Sequence, residues 1–241
     1  MPGALNVLKM VRSAMGHLIY YGHAAFELSL DGKKILIDPW LTNPRSPIKP
    51  GDVKDVDLVI VTHDHPDHIG ETVEILKNNP KAKVVAIFEL ASYIAEQLGE
   101  QDRAIGGNIG GPMIVDDLKI SLTTATHSSS KGNPTGVVII GNEATVYHAG
   151  DTGVTMDMKL IGDLYRPHIA LLPIGGHFTM DPLEAAKAVE LLRPKVAIPM
   201  HYGTFPVLYG DPKQFKKLVE DKCLPTRVEI LNPGDKYEFS F

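Results

Sequence analysis

Apolar positions in this chain come in short runs whose pattern shifts between strand and helix. Residues 17–21 and 24–30 read as a strand pair, or one long bent strand, interrupted at Gly22-His23. Asp31-Gly32 is a hairpin turn signal. Residues 33–37 form the returning strand, which stops at Pro39 because proline has no N–H to give a ladder. Residues 41–55 are rich in proline and polar groups and read as loop. Residues 56–61 are continuously apolar, the pattern of a strand buried on both faces. A helical pattern starts at Ile69 and dies at Asn78-Asn79-Pro80. A strand at 84–87 and a helix at 89–98 follow. The glycine-rich stretch 106–111 is predicted to be loop or tight turns without regular structure.

The second half repeats the mixture. Strands are predicted at 113–115, 118–124, 135–140 and 144–148, the last two joined as a hairpin by Gly141-Asn142. A helix at 156–164, a buried strand at 169–173 and a helix at 182–192 come next, with Pro182 suited to a first helical turn. A strand at 196–199, a helix at 213–222 and strands at 227–231 and 236–239 close the chain. Helices therefore fall in two blocks, one per half. Two sheets face to face with helices outside account for that order better than a doubly wound parallel sheet.

Composition narrows the picture. The 241 residues are 44% hydrophobic and 22% charged, which suits one globular domain over 16–241. Residues 1–15 read as an N-terminal extension, with 5–14 a candidate short helix; Lys9 and Arg12 inside this weakly apolar stretch do not fit a signal peptide. With 24 Lys and Arg against 29 Asp and Glu, net charge is −5, so no overall basic excess points to a nucleic-acid backbone. No run reaches the ~20 apolar residues of a membrane span. Cys223 is the only cysteine, which excludes an intrachain disulfide and fits a reducing cytoplasm; the thiol is read as a packing residue rather than a ligand.

The chemistry concentrates in Thr62-His63-Asp64-His65-Pro66-Asp67-His68, directly after the apolar run 56–61. Three imidazoles and two carboxylates in such a space have the character of a metal site, since neutral imidazole is the commonest side-chain ligand of transition metals. The complement has to come from elsewhere. His127, Asp151 and His201 each sit just past a predicted buried strand, where strand ends converge. With at most four donors from the run, the set comes to seven, five imidazoles and two carboxylates, too many for one tetrahedral ion and suited to two ions ~3.5–4 Å apart.

This ordered set, His-x-His-x-Asp-His followed by a later His, an Asp in Gly-Asp-Thr and a final His, resembles the metallo-β-lactamase superfamily from about Gly22 to Gly203. The resemblance implies an α/β fold, a four-layer αβ/βα sandwich with the site between the sheet edges. It implies that His63, His65 and His127 hold one divalent ion, that Asp67, His68 and His201 hold a second, and that Asp151 bridges them. Zinc is the first expectation, with manganese or iron as alternatives. The segments around Tyr21-Gly22-His23, Asp38-Pro39-Trp40, His177-Phe178 and His201-Tyr202-Gly203 look like a small prokaryotic branch of metal-dependent hydrolases, similar to ascorbate-phosphate lactonases. Only 40 residues follow His201 and 49 separate Asp151 from His201, too few for the substrate domain of glyoxalase II or the insert of the RNA-cleaving branch.

The expected reaction is hydrolysis of a small ester, lactone or phosphodiester by a metal-bridging hydroxide, with Asp67 ligating one ion and orienting the nucleophile. A nuclease acting on RNA or DNA is the alternative. Asp38 is the expected partner that fixes a ligand imidazole. His23 and His177 are candidates for proton transfer or for contact with a substrate anion. His148, His17 and His168 read as structural, and Lys131 as a solvated lysine with some prospect of meeting a phosphate. The expected partner is a small, anionic substrate, without membrane or nucleic acid, in a chain that could form homo-oligomers.

Overall fold

The computed structural model describes residues 15–241; the candidate helix at 5–14 lies outside the described residues. In chain order the first half holds strands β1 (Gly16–Tyr20), β2 (Phe26–Leu30), β3 (Lys33–Ile37), β4 (Leu58–Ile60), β5 (Lys83–Ile87) and β6 (Ala104–Gly107). Its helices are α1 (Pro66–Ile69), α2 (Thr72–Asn78) and α3 (Phe88–Leu98). The second half holds β7 (Met113–Val115), β8 (Leu118–Thr124), β9 (Thr135–Ile140), β10 (Thr145–His148), β11 (Ile169–Pro173), β12 (Val196–Met200), β13 (Arg227–Val228) and β14 (Lys236–Phe239). Helices α4 (Asp157–Tyr165), α5 (Pro182–Leu192) and α6 (Pro212–Glu220) accompany them.

The strands make two seven-stranded sheets on one plan. In the first sheet β14, β1, β2 and β3 are antiparallel neighbours, and β3 to β6 continue in parallel. In the second, β7 to β10 are antiparallel and β10 to β13 parallel. With helices outside, this is the α/β sandwich expected.

Period-two alternation builds the layers. On β9, Val137 and Ile139 face the core between the sheets, while Val138 faces the helices of the second half. On β11, Ile169 and Leu171 point to the first core, and Ala170 and Leu172 to the second. Ala185, Val189 and Leu192 of α5 close over the latter. That helix starts on a capping box: Glu184 N–H donates to Asp181 Oδ1 at 2.9 Å, and Asp181 N–H to Glu184 Oε2 at 3.2 Å.

Several expectations are corrected. The stretch predicted as glycine-rich loop begins inside a strand, since β6 reaches Gly107 and pairs in parallel with β5. A backbone ladder needs no side chains, and a Cβ at Gly106 would lie 3.0 Å from Phe88 Cα, so glycine lets α3 lie close on this edge strand. The predicted helix from Ile69 is two helices that meet at Gly70. Gly70 has φ +44°, and a Cβ there would sit 2.5 Å from Pro39 O and Trp40 Cα. Only glycine admits the Asp38–Trp40 turn so near the histidine run. The strand at 227–231 shortens to Arg227–Val228, and residues 17–21 and 24–30 prove to be an antiparallel pair. Cys223 is exposed rather than packed. Among the described residues no helix is long and apolar enough to cross a membrane.

Candidate metal centre

The functional side chains are gathered by strand ends. The histidine run leaves β4, Asp38 leaves β3, His127 follows β8, Asp151 follows β10 and His201 follows β12. Pro66 opens α1, so His65 lies just ahead of that helix while Asp67 and His68 sit on its single turn. Residues of one short run thus point in two directions.

Asp38 and Thr62 fix two of the rings. Asp38 is fully buried; its Oδ1 accepts from Thr62 N–H at 2.8 Å, and its Oδ2 from the Thr62 hydroxyl at 2.7 Å and from His68 Nδ1 at 2.7 Å. The Thr62 hydroxyl proton is committed to Asp38, so its oxygen accepts from His63 Nδ1 at 3.0 Å. With Nδ1 committed in both rings, Nε2 is the nitrogen turned inward.

The inward atoms converge. His63 Nε2 lies 3.1 Å from His65 Nδ1, which lies 3.3 Å from His127 Nε2. Asp151 Oδ1 is 3.2 Å from His68 Nε2, and its Oδ2 is 3.0 Å from His201 Nε2 and 3.5 Å from His127 Nε2. Donor atoms of His63, His65 and His127 form one group within 4.8 Å, those of Asp67, His68, His201 and His23 a second, and those of His63, His68 and Asp151 a third between them. His68 Nε2, His201 Nε2 and Asp151 Oδ1 are buried with no hydrogen bond. Leaving such atoms unsatisfied costs about 1–3 kcal/mol each. A cation among them removes that cost, so the donor set fits metal ions.

Electrostatics agree. Burial alone would raise the Asp151 carboxyl, but His201 and His68 outweigh it and hold it well below the carboxylate range. Burial would lower the His68 imidazole, but Asp151 and Asp38 hold it well above its ordinary value. Asp38 and Asp67 are lowered against burial, the first by His68 and the second by its hydrogen bond to His23. Burial drives His63 down to about 3, leaving the ring neutral.

The remaining predicted residues divide. His23 is fully buried behind Asp67, with Nε2 donating to Asp67 Oδ2 at 3.0 Å and Nδ1 accepting from the Thr204 hydroxyl at 2.6 Å. Its carbonyl accepts from His201 N–H at 2.7 Å. His177 is exposed, edge-on to Phe178, and is not brought into the cluster. His148 has both nitrogens satisfied, by Ala24 O at 2.9 Å and Gly150 N–H at 3.1 Å. Lys131 lies over the Tyr93 ring at 4.1 Å. Sequence reasoning gave no role to Thr62, Thr204 or Asp64. Asp64 Oδ1 accepts from Ser129 and Ser130, both at 2.9 Å, tying the histidine run to the loop after β8. Their only signal was adjacency to the ligands.

Comparison with known proteins settles the family. Residues 33–202 match the model of the β-lactamase superfamily domain. The chain belongs to the metallo-β-lactamase superfamily. It is 60% identical to a UPF0173 metal-dependent hydrolase of Aeropyrum pernix, over 94% of this chain and 99% of that protein. A second such hydrolase, from Hyperthermus butylicus, is 58% identical over 93% and 100% of the two chains. The solved structure of Igni18, a metallo hydrolase of Ignicoccus hospitalis, superposes with a TM-score of 0.88 at 46% identity, covering 94% of this chain and 99% of that one. With the superfamily match, 60% identity to a metal-dependent hydrolase makes the chain a metal-dependent hydrolase of the metallo-β-lactamase type.

Proposed function

We propose that the chain hydrolyses a small ester, lactone or phosphodiester at a binuclear centre, with zinc the first expectation for both ions. His63, His65 and His127 would hold one ion, Asp67, His68 and His201 the other, with Asp151 shared. The observation that carries this reading is the convergence of the unsatisfied His68 Nε2, His201 Nε2 and Asp151 Oδ1 on one another beside the His63, His65 and His127 group. Bound ions would supply Lewis-acid activation of water and of the scissile group. The chain's own residues do the arranging. Asp38 and Thr62 aim the His63 and His68 rings, and His23 holds the Asp67 carboxylate beside the reaction space. Asp67, with 21% of its side chain exposed, is the carboxylate with access to an incoming water. Buried as it is, His23 acts on the reaction through Asp67 rather than on a leaving group.

The net charge of −5, and the lack among the described residues of any Lys or Arg lining the cavity over the centre, weigh against a nucleic-acid substrate. The single exposed cysteine fits a cytoplasmic location. The test is metal analysis of protein purified without added metal, followed by turnover of an ester, lactone and phosphodiester panel. Two ions per chain and activity lost on chelation are expected; one ion, or turnover indifferent to chelation, would refute the binuclear reading.

A further inference from the structure

Above the centre opens a cavity of about 710 Å³, room enough for a drug-sized molecule. Its floor is the ligand cluster. Its walls are Trp40, Pro66, Phe178, Phe205 and Val207, with Ser128 as the polar exception. Trp40 and Phe205 stack with ring centres 5.5 Å apart and planes 18° from parallel. Both rings meet the edge or face of buried His23, at 5.1 and 5.4 Å, so the aromatic wall is braced by the residue that holds Asp67. Phe178 and Val207 stand at the rim, 52% and 45% exposed.

Among the described residues no lysine or arginine lines the cavity. The nearby cations are engaged elsewhere: Lys131 lies on Tyr93, and Arg45 Nη1 donates to Tyr202 O at 3.2 Å. An anionic substituent against this wall would lose hydration and meet no counter-charge.

We propose that the cavity selects substrates bearing an uncharged, apolar substituent, and that Trp40 and Phe205 are the specificity-determining wall. This rests on the hydrolase reading and replaces the expected anionic substrate with an apolar acyl or aryl compound. Each methylene laid on such a wall is worth about fourfold in kcat/KM.

Trp40 is the only tryptophan of the chain, so its emission reports the wall independently of turnover. In metal-loaded protein, kcat/KM should climb about fourfold per methylene from p-nitrophenyl acetate through butyrate to hexanoate. The mono-p-nitrophenyl ester of adipic acid, with a carboxylate at the far end of the chain, should fall about tenfold or more below hexanoate. Phe205→Ala should flatten the slope to under about twofold per methylene, while Leu160→Ala on the exposed face of α4 leaves it unchanged. A flat wild-type slope, or an adipate ester as good as hexanoate, overturns the proposal. If no ester turns over, the hydrolase reading on esters fails, and the wall is judged by binding alone. Neutral 4-phenylbutan-2-one should then shift Trp40 emission saturably, with affinity reduced at least about fivefold in Phe205→Ala. The absence of a saturable shift overturns the proposal.

Discussion

The two halves of the chain feed one centre in different ways. The first sheet delivers His63, His65, Asp67 and His68 from a single strand exit and braces them in advance through Asp38, Thr62 and His23. The second delivers His127, Asp151 and His201 singly, from three separate exits. Neither ring nitrogen of His201 has a hydrogen bond, and nor does Asp151 Oδ1. The first half is thus a cradle braced through Asp38, Thr62 and His23, whereas in the second His201 and Asp151 Oδ1 have no such brace among the described residues. Preorganisation is concentrated where ligands are adjacent in sequence, because one buried carboxylate can then serve several of them.

Asp151→Ala should be the most damaging change to this arrangement, since Asp151 faces donors of both halves. Metal content measured by mass spectrometry should fall below two ions per chain, and kcat/KM by on the order of a thousandfold, the scale of losing a main electrostatic group from a reaction centre. Retention of both ions would show that the halves do not depend on it. Asp38→Ala strikes only the cradle. Metal affinity by competitive chelation should drop about 10–100-fold, as for other partners that orient ligand histidines. An unaltered affinity would mean that the braces are idle.

The cradle also predicts a pH dependence in chelated protein. Asp38 is lowered on folding, so its contribution is present above the ordinary carboxylate value and lost as pH falls through the depressed one. His68 is raised, so its contribution is present below the ordinary histidine value and lost as pH climbs through the elevated one. Both are in force between about pH 4 and about pH 6.5. The gap in melting temperature between EDTA-treated wild type and Asp38→Asn should be widest in that window. A variant whose profile matches wild type would separate the pH response from this pair.

Much of this was legible beforehand. Strand exits carry their chemistry in the residue just past an apolar run, so His127, Asp151 and His201 could be singled out without coordinates. The α/β sandwich followed from helices falling in two blocks, and from the resemblance of the ordered ligands to a known superfamily. What escaped depended on proximity across the chain. That Thr204 would meet His23, 181 residues away, has no local signature. The strand at Ala104–Gly107 was hidden because its glycines are there for close approach, a tertiary reason that local propensity does not express. His23 looked like a free imidazole until its burial behind Asp67 was seen.

The pairing of β14 with β1 joins Gly16 to Phe239, the first described strand to the last. A ribosome must therefore release all the other strands of both sheets before β1 is covered on that side. Until then β1 offers open N–H and C=O groups to any passing strand. Contacts so distant in sequence slow folding, so newly made chains are expected to spend their vulnerable period with the cradle half formed and its border unguarded.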